Sequence, residues 1–239
     1  MNGSDPGGAA GIAKLARLLA DDTRATFCVA LLDGRAWTAG ELAGLARVAA
    51  STATEHLNHL VAAGLLVEER QGRHRYLRLA GPDVAQLLES LTAHADPPAL
   101  PVGSLRVVTA SAALARGRTC YDHFAGRLGV GITDAMTRRG LLEQRAGFSL
   151  TSDGLAWLGG LLRVEPAELA NGRRPLARGC LDWTERRPHL AGTAGARLCA
   201  HMLDRRWVTR IGTGRAVRVT PSGAAWLVSE LGLDVEALA

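Results

Sequence analysis

The stretch from Trp37 to Leu79 constrains the fold more than any other part of the chain. Thr38-Ala-Gly-Glu41 has the spacing of a capping box, with Leu42, Leu45 and Val48 as an apolar stripe behind it. The chain should turn between Arg47 and Ala50. A second helix follows, with Ser51 or Thr52 as its cap and a repeated box from Thr52 to Glu55. Leu57, Leu60 and Val61 share one face of it, and Gly64 ends it. Its other face shows Ser51, Thr52, Thr54, Glu55, Asn58 and His59, short polar side chains that suit a groove better than a core. Next come Leu65 to Arg70, the break Gln71-Gly72, and the alternating Arg73-His-Arg-Tyr-Leu-Arg-Leu79, a hairpin with Arg70, Arg73, His74 and Arg75 near its tip. Helix, turn, helix and basic hairpin in this order describe a module that lays its second helix in the DNA major groove and its hairpin on phosphates.

Around this core, Ala20-Asp-Asp-Thr-Arg24, Glu41-Leu-Ala43, Ser51-Thr-Ala-Thr-Glu-His-Leu57 and Ala63-Gly-Leu-Leu66 resemble the ArsR/SmtB family of bacterial repressors over about the first 95 residues. The resemblance implies a winged helix-turn-helix, a homodimer formed by the first and last helices of the domain, double-stranded operator DNA as partner, and modulation by an effector. The family's metal patterns are missing. No thiol lies between Leu42 and Arg47, and Asp83 and His94 stand without the paired ligand sets that follow the wing in metal-sensing members.

The rest of the chain divides around this module. Residues 1–10 are small and polar and read as disordered. Residues 11–95 form the DNA-binding domain. Its first helix carries Ile12, Leu15, Leu18 and Leu19, its second begins at Asp21 or Asp22, and Cys28 reads as a small core residue. Prolines 97, 98 and 101 mark 96–103 as a linker. Residues 104–239 hold an internal repeat, about 104–165 and 175–239. His123-Phe-Ala-Gly-Arg-Leu-Gly129 matches His189-Leu-Ala-Gly-Thr-Ala-Gly195, and Leu150-Thr151 through Trp157-Leu158 matches Val219-Thr220 through Trp226-Leu227. Each copy reads as helix, helix, short hairpin, capped helix. The expected fold is therefore mainly α with small β-hairpin wings (α+β), one N-terminal winged unit and two winged-helix-like repeats.

The helices before the arginines of the second half are too apolar for a groove face, so this half reads as a sensing or dimerising domain. Its only constellation able to carry site chemistry is Cys120-x-Asp122-His123 with Cys180-x-Asp182 and His189. Thiolate, imidazole and carboxylate suit a divalent metal. Two close thiols suit a redox switch. The same residues also fit a packed core, and a small organic effector among Trp157, Trp183, Trp207 and Trp226 is a further reading.

Net charge is +5 and Lys14 is the sole lysine, so the positive charge is almost all arginine, whose fork matches phosphate and guanine. The four cysteines form no Cys-x-x-Cys pair. No apolar run spans a membrane and no signal-peptide pattern opens the chain, so a cytoplasmic protein with free thiols is expected. No nucleophile elbow, Walker loop or His-Glu-x-x-His is present, so no enzyme is expected. The competing reading is a protein-interaction or small-ligand module with a vestigial helix-turn-helix.

Overall fold

The computed structural model describes residues 6–72, 74–95, 112–145, 147–172, 174–212 and 214–234. They form two compact units that divide between Leu88 and Glu89.

The first unit runs α1 (Pro6–Leu19), α2 (Asp22–Leu31), β1 (Trp37–Thr38), α3 (Ala39–Ala46), α4 (Ala50–Ala62), β2 (Leu66–Gln71), β3 (His74–Leu79) and the start of α5 (Pro82–His94). Residues 6–10, expected to be disordered, are helical as the start of α1. Proline is tolerated in a first turn, where its missing N–H has no helical partner, and Ala9-Ala10 favour the helix beyond it. Asp21 caps α2 by accepting from the Arg24 N–H. Thr38 and Glu41 make the expected reciprocal box at α3. Leu45 is not part of the buried stripe; it is 47% exposed. Leu42 and Ala43 point inward, and at about 100° per residue Leu45 lies some 160° from Ala43, outside that arc. The start of α4 also differs. Arg47 adopts a left-handed conformation (φ 56°), and the helix resumes at Ala50 with Ala49 as an N-cap that makes no side-chain bond. Ser51 and Thr52 therefore lie inside the helix and cap nothing.

The wing is antiparallel, with Arg70 opposite Arg75 and Gln71 opposite His74. β1 adds to its other edge, giving the order β1-β3-β2. Phe27, Cys28, Leu31, Leu42, Leu57, Leu60, Leu66, Leu77 and Leu79 make the core. Burial pushes the Cys28 thiol up to about 11, as befits an inert packing residue.

The second unit begins within α5. The proline-rich 96–103 lies outside the described residues, and the division falls before it. The reason is that Glu89, on α5, already packs in the second unit and accepts from the Cys180 thiol at 3.6 Å. After helical residues 112–116 come two copies of one plan. The first is β4 (Arg118–Cys120), β5 (His123–Ala125), α6 (Gly126–Arg138), β6 (Leu142–Glu143), β7 (Ser149–Leu150) and α7 (Ser152–Leu162), followed by the short α8 (Pro166–Ala170). The second is β8 (Arg178–Leu181), β9 (Pro188–Ala191), α9 (Gly192–Asp204), β10 (Val208–Arg210), β11 (Val217–Val219) and α10 (Pro221–Leu231).

Each copy thus opens on a β-hairpin where a helix was expected; only the later helix, hairpin and capped helix follow the winged plan. Gly126 and Gly192 set this. They hold φ of 71° and 83° at the strand-to-helix corners, and a Cβ on either would meet backbone oxygen at 2.7 Å. The capped helices behave as read, Thr151 accepting from Gly154 N–H and Thr220 from Gly223 N–H.

The two copies share one core, in which Leu128, Ile132 and Met136 of the first join Leu198, Met202 and Leu227 of the second. The first helix of each copy also packs on the leading hairpin of the other, α6 on β9 and α9 on β5. Thr133 ties this cross-packing by accepting from the Leu190 N–H at 2.8 Å.

Candidate nucleic-acid interface and a buried cysteine–histidine cluster

Helix α4 presents one polar face. Ser51, Thr54, Glu55, Asn58 and His59 are exposed and Thr52 is half-buried, while Ala53, Leu57 and Leu60 hold the opposite face in the core. Because no side chain is spent on capping, the Ser51 hydroxyl stays open to an outside partner. Thr54 donates to the Ala50 carbonyl, and His59 lies 4.0 Å from Glu55. At the wing, Arg70 is 77% exposed on its side chain and His74 is exposed. Arg75 is mostly covered, its Nε donating to Glu68 at 2.7 Å. That pairing holds the arginine along the hairpin and leaves Arg70 as the freer cation. Arg73 lies outside the described residues.

In the second unit the repeat brings its chemistry together. Cys120 stands directly across the β4–β5 hairpin from His123, and Cys180 directly across β8–β9 from His189. Tyr121, at φ 57°, makes the tight turn of the first hairpin. One ligand atom from each of the four residues lies within 4.8 Å of the others, and all four residues are buried. The two imidazoles face each other with ring centroids 5.1 Å apart. The cysteines are unlinked. His123 Nε2 and both ring nitrogens of His189 make no hydrogen bond of good geometry, although the Cys180 sulfur lies close to both rings. Each such buried orphan costs about 1–3 kcal/mol, so three at one place mark a site shaped for something else.

The two aspartates of the motif do not join the cluster. Asp122 accepts from His123 Nδ1 at 3.1 Å and from Arg174 at 2.5 and 3.1 Å. Asp182 turns away to a fully buried ion pair with Arg118 at 2.9 Å and accepts from Gly126 N–H, the Thr184 N–H and hydroxyl, and Glu185 N–H. Its nearest approach to His189 Nδ1, 3.6 Å, is too long for a hydrogen bond. Sequence symmetry gave both aspartates one role; the cations that reach them give them two. Neither Arg118, Arg174 nor Glu89 was legible as part of this neighbourhood. They lie 52 to 91 residues from their partners in sequence and share no motif with them.

The clustered groups shift one another's protonation. The hydrogen bond from the Cys120 thiol, helped by both histidines, pulls the Cys180 thiol well below its usual value, whereas burial pushes Cys120 up. Burial opposes a charge on His123, yet the Asp122 bond and the neighbouring sulfur raise it to about 9. Burial lowers His189 and raises Glu89 to about 7. Three of the tryptophans contact one another and the fourth meets an arginine. Trp207 stacks on Trp226 at 4.4 Å and Trp157 tilts against Trp226, while Trp183 lies under the Arg118 guanidinium at 4.7 Å.

Comparison with known proteins matches residues 19–69 to a family described as a helix-turn-helix domain. A relative in Bacillus subtilis, called the uncharacterized HTH-type transcriptional regulator YdfF, is 42% identical over 213 residues, covering 89% of this chain and 93% of that protein. The HTH-type transcriptional regulator CmtR of Mycobacterium tuberculosis is 39% identical over 80 residues, 34% of this chain and 67% of that protein. Among solved structures, that of the cadmium metal-sensor CMTR from Mycobacterium tuberculosis is 35% identical, covers 39% of this chain and 99% of its own, and has a TM-score of 0.30. No helix among the described residues is long and apolar enough to cross a membrane. With similarity to YdfF running through nearly its whole length and a polar-faced α4 beside a basic wing, the chain belongs to the helix-turn-helix transcriptional regulators, as a DNA-binding member whose reading unit has the winged, ArsR-like form.

Proposed function

We propose that the protein is a homodimeric repressor that reads operator DNA with α4 and is switched by an effector acting on the second unit. The observation that carries the DNA-reading part is the exposed polar face of α4, free of capping duty, beside the Arg70 wing. One α4 from each subunit enters successive major grooves. Thr52, Thr54, Glu55, Asn58 and His59 meet base edges, Ser51 meets the backbone at the helix start, and Arg70, Arg73, His74 and Arg75 contact flanking phosphates. The dimer is what the family resemblance implies, formed by the first and last helices of the domain, α1 and α5, which carry the exposed Ile12 and Leu91.

The effector reading rests on the buried thiols and imidazoles, and a divalent metal is the class they suit best. A peroxide or disulfide reagent that oxidises Cys120 and Cys180 to a disulfide is the second reading, favoured by the closeness of the two sulfurs.

The test is a fluorescence-polarisation titration on DNA upstream of the protein's own gene, at two salt concentrations, reduced, with and without zinc or an oxidant. Specific binding that weakens steeply with salt and changes with zinc is expected. Binding indifferent to both additions would remove the cluster as the effector site. Absence of specific binding would favour the interaction-module alternative.

A further inference from the structure

We propose that Cys120, His123, Cys180 and His189 form a closed, mononuclear, tetrahedral site for a thiophilic divalent cation of the zinc and cadmium type, and that this ion staples the two repeats together. The proposal deepens the effector reading above and rests on it only for the regulatory role of the ion.

The ligand set comes first. Two sulfurs and two imidazole nitrogens select zinc-like ions over magnesium, calcium or manganese, which want oxygen. Geometry supports one ion. Metal–sulfur bonds of about 2.3 Å and metal–nitrogen bonds of about 2.0–2.1 Å place tetrahedral ligands roughly 3.3–3.8 Å apart. The four ligand atoms already lie within 4.8 Å of one another, so a contraction of about an ångström completes the shell. The charge also closes: a divalent ion with two thiolates and two neutral imidazoles is neutral, which suits a buried site. To reach that state, whatever protons the two thiols and the two ring nitrogens facing the ion carry, that of a protonated His123 included, leave to solvent as the ion enters.

The orphan nitrogens supply the second, independent sign. His123 Nε2 points into the cluster without a hydrogen bond of good geometry because its Nδ1 is held by Asp122, itself clamped by Arg174. A carboxylate behind a histidine is the usual way a protein orients a metal-binding ring. Packing fixes both rings from behind. Gly129 of α6 brings its backbone against the His189 Cβ, 3.6 Å from where a side chain would begin, and Gly195 of α9 does the same to His123 at 3.2 Å. Each histidine is thus pinned by the helix of the opposite copy.

Two consequences follow from the ligand count. Four protein ligands leave no open position, so the ion itself, rather than a molecule bound to it, is what the site detects. Each copy supplies one cysteine and one histidine, so neither copy holds the ion alone, and binding must stabilise the pair.

Cobalt(II) titration of the reduced full-length chain tests this. The expected result is intense tetrahedral d–d bands and thiolate-to-cobalt charge transfer that saturate at one cobalt per chain and vanish when zinc is added. Cys180→Ser should cut the charge-transfer intensity by about half. Asp122→Asn should keep the bands while weakening affinity about 10–100-fold. Should a variant fail to fold, the wild type still decides. Four of its five tryptophans lie in the second unit. Zinc at a hundredfold excess over Kd should therefore raise the tryptophan-detected melting midpoint by about 5–10 °C. A folded, reduced chain with no tetrahedral bands and no zinc-dependent shift would overturn the site. More than one cobalt per chain, or bands unchanged in Cys120→Ser/Cys180→Ser, would overturn it as drawn. Tetrahedral cobalt with unaltered DNA affinity would support the site and overturn only its role as the switch.

Discussion

The wing of the first unit and the leading hairpins of the second are the same element put to opposite uses. Along the wing, Glu69, Arg70 and Gln71 are exposed, and polar tips stay in water until a partner arrives. Along β4 and β5 every residue is buried, and β9 is buried from His189 onward. A solvated arginine costs nothing to hold and gains only when it meets phosphate. A buried imidazole needs hydrogen-bond partners, and where it has none beside two thiols a ligand is called for. The helices tell the same story. In α4 the buried residues are Ala53, Leu57 and Leu60, whereas α6 is buried over most of its length from Gly126 to Met136. Burial, more than element type, separates the surface that reads from the interior that holds.

The largest effect that bears on this contrast should come from Arg118→Ala. It strands Asp182 in the interior without its cation and should cost the second unit about 3–5 kcal/mol in urea unfolding followed by tryptophan fluorescence. A loss below about 1 kcal/mol would show that the interior tolerates an unpaired charge and would blur the distinction. Asn58→Ala comes next. It should cost about 1–3 kcal/mol on the preferred operator and little on unrelated DNA, measured by competition titration. An equal loss on both would move Asn58 from base reading to backbone contact.

Thr38→Ala should cost the first unit about 1 kcal/mol by removing the capping box, with the second unit's melt unchanged. The backbone N–H of Thr38, with its hydroxyl, holds the Glu41 carboxyl below its usual value. Because the folded value is the lower one, this part of the cap's contribution is fully present above the unfolded value of about 4.3 and fades as pH falls through the folded value. Alanine keeps the backbone N–H, so the gap between Thr38→Ala and the native chain should narrow in acid by the share of the hydroxyl bond alone. The smallest effect is that of Arg70→Ala, a nearly uniform weakening on all DNA with the salt slope reduced by about one. An unchanged slope would leave the wing without its phosphate role.

The reading unit was largely legible because its signals are local. The Thr38–Glu41 box, the apolar spacing of Leu57 and Leu60, and the Gly64 stop are each set within one or two turns. Where local signals conflict, the backbone geometry decides between them. Ser51 and Thr52 are good capping residues, but the left-handed turn at Arg47 restarts the helix before either can act. The leading hairpins were read as helices because strands of three or four residues have no periodicity to detect. The repeat itself was visible, and with it the pairing of Cys120 with Cys180 and His123 with His189 as equivalent positions.

By itself the sequence determined the order of elements in the first unit, the polar face of α4, the basic wing and the existence of a twofold repeat. These depend on neighbours a few residues away, where side-chain chemistry and helix or strand geometry suffice. Only the tertiary structure decided that four of the six motif residues converge while the two aspartates are taken up by arginines. That outcome hangs on Arg118, Arg174 and the crossed packing of α6 and α9, contacts between segments far apart in the chain. A buried charge takes whichever partner the fold brings within reach, and no spacing along the chain records which one that is.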